Sequence, residues 1–542
     1  MPKTRNNCAF LLLLLLFTAS LQAQKTFKNP ILSGFHPDPS LCRVGDDYYM
    51  ITSSFEWFPG IPIFHSKDLV NWEQLGHVLN RPSQLQMRDG LKASNGLWAP
   101  TIRYHNGMFY VICTATGCGG NFFVTAKNPQ GPYSEPIFIK EAPGIDPSLF
   151  FDDDNKVWYC GSINGDNKIP PRQYPAEDRI YVQQINLTNG EFVGERYIVT
   201  SGYAINSPYG EAPHIYKING KYYLMIAEGG TWENHAVTVF TADKVNGPYT
   251  PFVCNPVLTH RHLGNDIDIT TIGHADWVQT QNGDWYAVML GVRPVDGFNM
   301  LGRETFLTSV KFQGEQPVFN PGVGRVLMED KFPNLSEAQV EAPPSRDEFT
   351  GETLSHCWNF LRTPFECWYS LQKGKLWLNL RPNKLTEFTN PSLIALRIQH
   401  HQFQTIAAMQ LTTLGAGEEA GVVIMQNDRF HYRLVIVGRD KKDPQQLRLI
   451  RIKAGEEQVV ASIPYKEKKI VLGIRGEGLQ YSFVYGDSEA TLHPLAVPQD
   501  ATICSSNIAR GFIGPYIGMY GSSNGQKSSN KVAFDWFEYV GK

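Results

Sequence analysis

The stretch KYYLMI, residues 221–226, is the fourth of five copies of one sequence pattern, in which an aromatic pair runs into apolar residues. The other copies are DYYMI at 47–51, MFYVI at 108–112, VWYC at 157–160 and DWYAVM at 284–289. Turn pairs such as Asn106-Gly107 and Asn219-Gly220 stand directly before several copies, as they do in β-hairpins. Repeats of about fifty to sixty residues with several strands each favour a β-propeller over a helical solenoid. Five copies therefore predict five blades.

A second motif lies about ten residues before each aromatic strand. Its copies are Asp38-Pro39-Ser40, Ala99-Pro100, Asp146-Pro147-Ser148, Glu211-Ala212-Pro213 and Gly273-His274-Ala275. In a propeller the innermost strand of each blade runs along the central channel, so residues at one phase of the repeat meet near the axis. We therefore expect Asp38, Asp146, Glu211 and His274 to converge.

The bulk composition is that of a globular protein. The chain has 542 residues, enough for two or three domains, and 42% of them are hydrophobic. A formal net charge of −3 gives no electrostatic reason to expect nucleic acid or an anionic membrane as a partner. The 12% aromatic content suits stacked sheets, and it also suits the flat faces of sugar rings.

The N-terminus has the features of an export signal. Lys3 and Arg5 precede an apolar core at 9–17, and the small residue Ala23 offers a cleavage position before Gln24. The apolar core is too short to span a bilayer comfortably, and no later stretch is longer. We predict a signal peptide at residues 1–23 and an exported protein, periplasmic or secreted, without a membrane-spanning segment.

The eight cysteines beyond the signal peptide are sparse and widely spaced. None forms a Cys-x-x-Cys pair or a Cys/His cluster of the kind that binds zinc. An exported protein can form disulfides. The spacing leaves Cys113 with Cys118, and Cys357 with Cys367, as candidate pairs.

The sequence pattern changes after residue 327, which divides the chain. We predict a catalytic propeller at 24–327, a proline-containing linker at 328–346 and a second domain at 347–542. In the second domain several apolar runs, such as 420–425 and 430–437, alternate with polar residues as antiparallel strands do. A jelly-roll-like β-sandwich fits this part of the chain.

Three acids from three blades match the requirements of glycosidic bond hydrolysis with inversion. One carboxylate activates water, an opposing carboxylic acid protonates the leaving oxygen, and a third acid nearby can raise the pKa of the second. A simpler interpretation exists, because Asp-Pro-Ser is also a good turn initiator. The shared phase of Asp38, Asp146 and Glu211 favours catalysis. His274 is open between a core histidine and a ligand-binding one, and a non-catalytic sugar-binding protein is the alternative for the whole chain.

At these motifs the chain resembles glycoside hydrolase family 43. The matching segments run through most of the mature chain. They are Gly34 to Ser40, Ser54 to Gly60, Leu97 to Pro100, Gly144 to Phe150, Gly210 to His214, Gly273 to Ala275 and Leu301 to Thr305. The region from Asp347 to Phe537 looks like the β-sandwich of the β-xylosidase branch.

The resemblance implies a role for each site residue. Asp38 would be the general base, Glu211 the general acid, and Asp146 the group that tunes the pKa of Glu211 and orients it. The residues implied in substrate binding are Phe55, Trp98, His274, Arg303 and Phe512, with Arg293 as a reserve for the arginine and Phe512 lent by the sandwich. No cofactor is required; in some family members calcium lies near the residue that His274 matches.

A pocket closed at one end by Phe512 would admit only a chain terminus. The resemblance therefore implies an exo-acting enzyme of hemicellulose breakdown that releases xylose from the non-reducing end of β-1,4-xylo-oligosaccharides. An α-L-arabinofuranosidase, or an enzyme with both activities, is the alternative, because arabinofuranose presents similar hydroxyl groups. The sequence leaves a homo-oligomer open.

Overall fold

The computed structural model describes residues 25–163, 172–410, 414–438 and 445–542. The fold prediction is confirmed, because five small antiparallel sheets form a propeller and two large sheets form a sandwich. The helical segments of the described part are short: Glu489–Thr491, Ala501–Cys504 and Ser506–Ala509. None of these has the length and apolar character needed to cross a bilayer. The predicted signal peptide, 1–23, lies outside the described residues.

Each propeller blade is an antiparallel meander whose strands follow one another outwards from the axis. Blade 1 contains Ser40–Val44, Asp47–Ile51, Gly60–Ser66 and Glu73–Leu79. Blade 2 contains Gly96–His105, Met108–Thr116, Gly120–Ala126 and Ile137–Phe138. Blade 3 contains Ile145–Phe151, Val157–Ile163, Arg179–Asn186 and Glu191–Thr200. Blade 4 contains Glu211–Ile218, Lys221–Glu228, Ala236–Ala242, Thr250–Pro251 and Leu258–Thr259. Blade 5 contains Thr270–Gln279, Trp285–Val292, Glu304–Gln313 and Gln316–Phe319.

The repeated aromatic pattern forms the second strand of every blade. Tight turns join the first strand to the second, and at Asn106-Gly107 and Asn219-Gly220 both residues have positive φ. A two-residue hairpin needs this geometry, which asparagine and glycine adopt easily. The second strand runs back towards the face of the propeller at which the first strand began. The loops after the second strands and the starts of the first strands therefore share one face.

The N-terminal segment closes the propeller. Thr26–Lys28 pairs with Glu329–Lys331, a strand within the predicted linker. The side chain of Asn29 then bonds to both backbone groups of Leu307 in blade 5 and to the carbonyl of Leu327. The chain before blade 1 and the chain after blade 5 are thus held together.

The second domain consists of two antiparallel sheets packed on a shared apolar core. The first sheet contains Tyr369–Leu371, Leu376–Asn379, Lys531–Gly541, Gln402–Gln410, Lys469–Glu477, Gln480–Gly486 and His493–Pro494, with Arg346–Asp347 and Gln499–Asp500 pairing beside this path. The second contains Glu456–Pro464, Gln446–Lys453, Phe430–Val437, Glu419–Asn427, Tyr516–Ser522, Ser392–Arg397, Asn359–Leu361 and Trp57–Phe58.

The last strand of the second sheet belongs to the propeller. Trp57–Phe58 leaves blade 1 and pairs with Phe360 and Leu361 of the sandwich. The indole of Trp57 stacks on Tyr516 with ring centroids 3.6 Å apart. One buried apolar cluster also contains residues of blades 1 and 2 together with residues of the sandwich. The two domains therefore share a sheet and a core.

The cysteine pairs suggested by spacing are not formed. All eight cysteines in the described part of the chain are free thiols, and Cys113 is fully buried in its strand while Cys367 is exposed. The suggestion of disulfides at Cys113 with Cys118 and at Cys357 with Cys367 was therefore wrong. Buried cysteines in strands pack as small apolar side chains.

Candidate active site

One pocket opens at the propeller axis, on the face where the first strands begin. The structure places all eight of the predicted site residues in its wall. The lining residues are Asp38, Phe55, Trp98, Ala99, Ile145, Asp146, Glu211, Thr231, His274, Arg303 and Phe512. Arg293, the reserve arginine, lies outside this lining and forms an ion pair with the buried Glu304 at 2.7 Å. Ten of the lining residues belong to the propeller, and Phe512 belongs to the sandwich.

A local backbone distortion aims the axial side chains into the pocket. One residue at the same phase of each blade has φ between 25° and 55°: Asp38, Ala99, Asp146, Ala212 and His274. Such positive φ values are uncommon outside glycine. In blades 2 to 5 the strand register shifts at this point, which is the signature of a β-bulge. In every blade, a side chain at this residue or directly before it lines the pocket.

Glu211 uses the position just before the bulge residue of blade 4. The matching positions in blades 2 and 3 are Trp98 and Ile145, which also line the pocket. The acid of blade 4 is therefore offset by one residue from Asp38 and Asp146. This offset gives Glu211 a separate place on the wall.

Both carboxylate oxygens of Asp38 are held by donors. Arg303 Nη1 donates to Oδ1 at 2.8 Å, and the hydroxyl of Ser53 donates to Oδ2 at 2.6 Å. Nδ1 of His274 lies 3.7 Å from the same Oδ1. Asp38 is also buried, at 4% exposure. A carboxylate oriented in this way can accept a proton from a water molecule in the pocket.

The other two acids are shifted towards their protonated forms. Burial, followed by the charges of Asp146 and Asp38, raises the pKa of Glu211 well above its usual range. Burial and the charge of Asp38 also raise the pKa of Asp146 to about 7. A 3.1 Å hydrogen bond from the Ala212 N–H opposes this shift. The direction of these shifts favours the protonated form of Glu211, in the same pocket as the donor-bound carboxyl group of Asp38.

Arg303 connects the acids to the aromatic wall. Its Nη1 donates to Thr231 Oγ1 at 3.2 Å as well as to Asp38, and its Nη2 donates to the carbonyl of Phe512 at 3.3 Å. The guanidinium lies 5.6 Å from the Phe55 ring centroid and 5.8 Å from the Phe512 centroid. Arg303 thus ties the sandwich residue Phe512 to the general-base candidate.

Three aromatic rings from three parts of the fold pack together at the pocket. Phe512 lies 5.4 Å from Trp98 and 6.3 Å from Phe55, and Trp98 lies 6.0 Å from Phe55. The backbone N–H of Phe512 donates to Ser94 Oγ at 3.0 Å, which fixes the sandwich loop to the segment that leads into blade 2. The rings form an apolar wall of the kind that packs against sugar C–H groups.

His274 lies at the axis as a neutral imidazole. Burial lowers its pKa, although the charge of Asp38 opposes this shift. Among the described residues, no group of three or more His, Cys, Asp or Glu side chains is placed to hold a metal ion. Asp38, the carboxylate beside His274, already forms an ion pair with Arg303. These surroundings do not fit a calcium ligand set built on His274 and neighbouring acids, and we derive no step through that ion.

A buried polar layer lies beneath the pocket, and sequence reasoning missed it. Asp276 accepts hydrogen bonds from Ser40 at 2.7 Å, from Arg103 at 2.9 Å and from Tyr216 at 2.5 Å. Burial alone would raise the pKa of Asp276, but Arg103, His214 and these bonds lower it to about 2. Ser40, His214 and Asp276 all stand two residues after the bulge position. This shared spacing is visible in the sequence and could have indicated that the three side chains lie in one layer.

Ser53 and Thr231 were also missed. Each lies in the loop after the second strand of its blade, and these loops open on the face of the pocket. Neither residue belongs to a recognisable sequence motif. The repeat could therefore have assigned each of them to a loop, but not to the pocket.

Comparison with known proteins identifies both halves of the chain. The model of the family "Glycosyl hydrolases family 43" matches residues 27–317, and the model "Beta xylosidase C-terminal Concanavalin A-like domain" matches residues 346–540. A xylosidase/arabinosidase of Butyrivibrio fibrisolvens is 39% identical over 517 residues, which cover 94% of this chain and 98% of the relative.

Two further relatives match over almost their full length. A non-reducing end α-L-arabinofuranosidase of Bacteroides ovatus is 38% identical over 551 residues and 99% of both chains. The crystal structure of a xylan β-1,4-xylosidase from Bacillus halodurans superposes with a TM-score of 0.88 at 33% identity, covering 95% of this chain and 99% of that one.

Proposed function

Because the chain belongs to glycosyl hydrolases family 43, we propose that it is an exo-acting, inverting glycosidase that releases xylose from the non-reducing end of β-1,4-xylo-oligosaccharides. The family membership makes it a glycoside hydrolase acting on oligosaccharides. One observation carries the mechanism: the pocket holds a carboxylate bound by two donors, Asp38, together with an acid of strongly raised pKa, Glu211.

The proposed reaction is a single displacement. A water oxygen attacks the anomeric carbon from the face opposite the leaving group and gives its proton to Asp38. The bond to the leaving oxygen breaks as that oxygen takes the proton of Glu211. The charge of Asp146 raises the pKa of Glu211 and so favours the protonated form, which donates to the leaving oxygen. A β-xyloside would yield α-xylose as its first product.

The shape of the pocket supports cleavage at a chain end. Phe512 closes the wall on the sandwich side and contacts both Trp98 and Phe55. Arg303 donates to the Phe512 carbonyl and to Asp38, so the closing residue and the base are coupled. An internal sugar unit, extended at both ends, would have to pass this wall.

An α-L-arabinofuranosidase activity is the second candidate, alone or together with the xylosidase activity. The relative from Bacteroides ovatus, 38% identical over nearly the full chain, bears that activity in its name. The relative from Butyrivibrio fibrisolvens bears both. We also propose export through residues 1–23, and a homo-oligomer stays a prediction.

The first test is turnover of aryl β-D-xylosides and aryl α-L-arabinofuranosides by the wild type and by Asp38→Asn and Glu211→Gln. We expect Asp38→Asn to lose at least about 1,000-fold in kcat on every substrate, since the water then lacks its base. Glu211→Gln should lose far more on xylobiose than on a nitrophenyl xyloside, because a good leaving group needs little protonation. Equal losses on both substrates would remove Glu211 from the acid role, and no wild-type turnover of either sugar would refute the proposed function.

A further inference from the structure

An aromatic row continues from the pocket wall to the protein surface, beyond the residues that line the pocket. Trp232 lies 6.3 Å from Phe512, and Tyr209 lies 6.0 Å from Trp232, both measured between ring centroids. Phe55, at the inner end of the row, is 2% exposed, whereas Trp232 is 48% and Tyr209 38% exposed. Large aromatic side chains with this exposure, next to an active-site pocket, offer stacking surfaces to a ligand.

The backbone places both rings close to the catalytic groups. Trp232 directly follows Thr231, whose hydroxyl accepts a hydrogen bond from Arg303. Tyr209 precedes the acid Glu211 by two residues. Both rings therefore stand on backbone segments that also carry pocket residues, Thr231 beside Trp232 and Glu211 close to Tyr209.

Local structure holds the two rings in this arrangement. A Cβ atom at Gly230 would lie 2.8 Å from the Trp232 ring and 2.9 Å from the Tyr209 ring, so only glycine lets both rings pack against the backbone. Tyr209 has φ of 55°, which is rare for a bulky residue. Its N–H donates to the carbonyl of Ala176 at 2.9 Å, which supports this conformation. Backbone strain beside an active site often serves to position a side chain.

We propose that Trp232 and Tyr209 form the leaving-group subsite, which stacks on the pyranose ring that departs with the leaving oxygen. This proposal rests on the proposed function and adds the chemistry of the second sugar. The flat C–H face of a β-linked pyranose would lie on the indole, and the terminal sugar would occupy the pocket. A substrate whose leaving group lacks a ring would gain nothing from either residue.

The test compares xylobiose, whose leaving group is a pyranose, with methyl β-D-xyloside, whose leaving group is methanol. We expect Trp232→Ala to reduce kcat/KM for xylobiose about 10-fold to 30-fold and to change it less than about 2-fold for methyl xyloside. Tyr209→Ala should act in the same direction with a smaller effect, and Trp232→Phe should recover part of the loss. Retained turnover of methyl xyloside also demonstrates that each variant is folded.

Tyr203 provides the matched control. It lies on the same loop as Tyr209 and is 37% exposed, but it makes no ring contact with the row described here. Tyr203→Ala should leave both substrates unchanged. Equal losses on the two substrates, or full activity of Trp232→Ala on xylobiose, would overturn the subsite. A wild type that hydrolyses neither these xylosides nor the corresponding arabinofuranosides would refute the proposed function itself.

Discussion

Glu211 shares its pocket with two other carboxyl groups, and its chemistry depends on them at the scale of single residues. Repulsion by Asp146 and Asp38, added to burial, raises its pKa. Asp38 differs because Arg303 and Ser53 each donate to one of its oxygens. Similar side chains in one pocket thus acquire opposite roles from their immediate partners.

Asp146→Asn tests this dependence. Removing a negative charge beside Glu211 lowers the pKa of Glu211, so the acid loses its proton at a lower pH. The high-pH limb of the kcat/KM profile should therefore move down by roughly one pH unit. Asp153→Asn is the control, because Asp153 is an exposed acid on the far side of the same blade. A limb that stays in place or moves up in Asp146→Asn would contradict the assignment of Asp146.

At the scale of elements, the residue of positive φ at the start of each inner strand is the structural basis of the site. Asp38 and Asp146 were predictable because Asp-Pro-Ser marks this position twice and the repeat defines its phase. Glu211 stands two residues before its proline, whereas Asp38 and Asp146 stand one residue before theirs. The sequence did not reveal that the residue before each proline has positive φ, so the meaning of this offset became clear only from the backbone. Trp232 and Tyr209 were missed because their loops carry no motif. Phe512 was predicted only through the resemblance, because nothing in its own segment points to blade 1.

Gly144→Ala tests the tight packing behind the bulge of blade 3. Gly144 has φ of 80°, and an added Cβ would overlap the backbone carbonyl of Ser162 in the neighbouring strand. Gly220 has almost the same φ, 82°, with open space around it. Gly220→Ala should therefore cost only the conformational strain of about 1–2 kcal/mol. We expect Gly144→Ala to destabilise the protein clearly more in chemical unfolding and to reduce kcat by displacing Asp146. Equal costs for the two variants would contradict this packing.

At the scale of the whole molecule, the propeller and the sandwich share a sheet and a buried core, so we expect them to unfold as one unit. Trp57–Phe58 extends a sandwich sheet, and the buried Arg362 of the sandwich donates to the carbonyl of Leu91, in the connection between blades 1 and 2, at 2.7 Å. Arg362 also binds both oxygens of Asp428 at 3.2 Å. The sequence predicted two domains and their types, but the shared sheet depends on a two-residue strand that has no periodicity to recognise.

Arg362→Leu tests the domain junction. The change leaves Asp428 buried without its partner and removes a donor from Leu91, so we expect a loss of about 3–5 kcal/mol in the free energy of unfolding. Arg81→Leu, which removes a solvent-exposed ion pair with Glu135, should cost about 1 kcal/mol or less. Denaturant titration monitored separately in each domain would measure both. Loss of the sandwich signal with an unchanged propeller transition would argue against a single folding unit.

The proposed mechanism is a single displacement at the anomeric carbon, with Asp38 as base and Glu211 as acid. Proton NMR of the sugar released in the first minutes of β-xyloside hydrolysis, before mutarotation, tests it most directly. Inversion predicts α-xylose as the first product, with β-xylose appearing later as the anomers equilibrate. Initial release of β-xylose would mean retention of configuration and would contradict the mechanism.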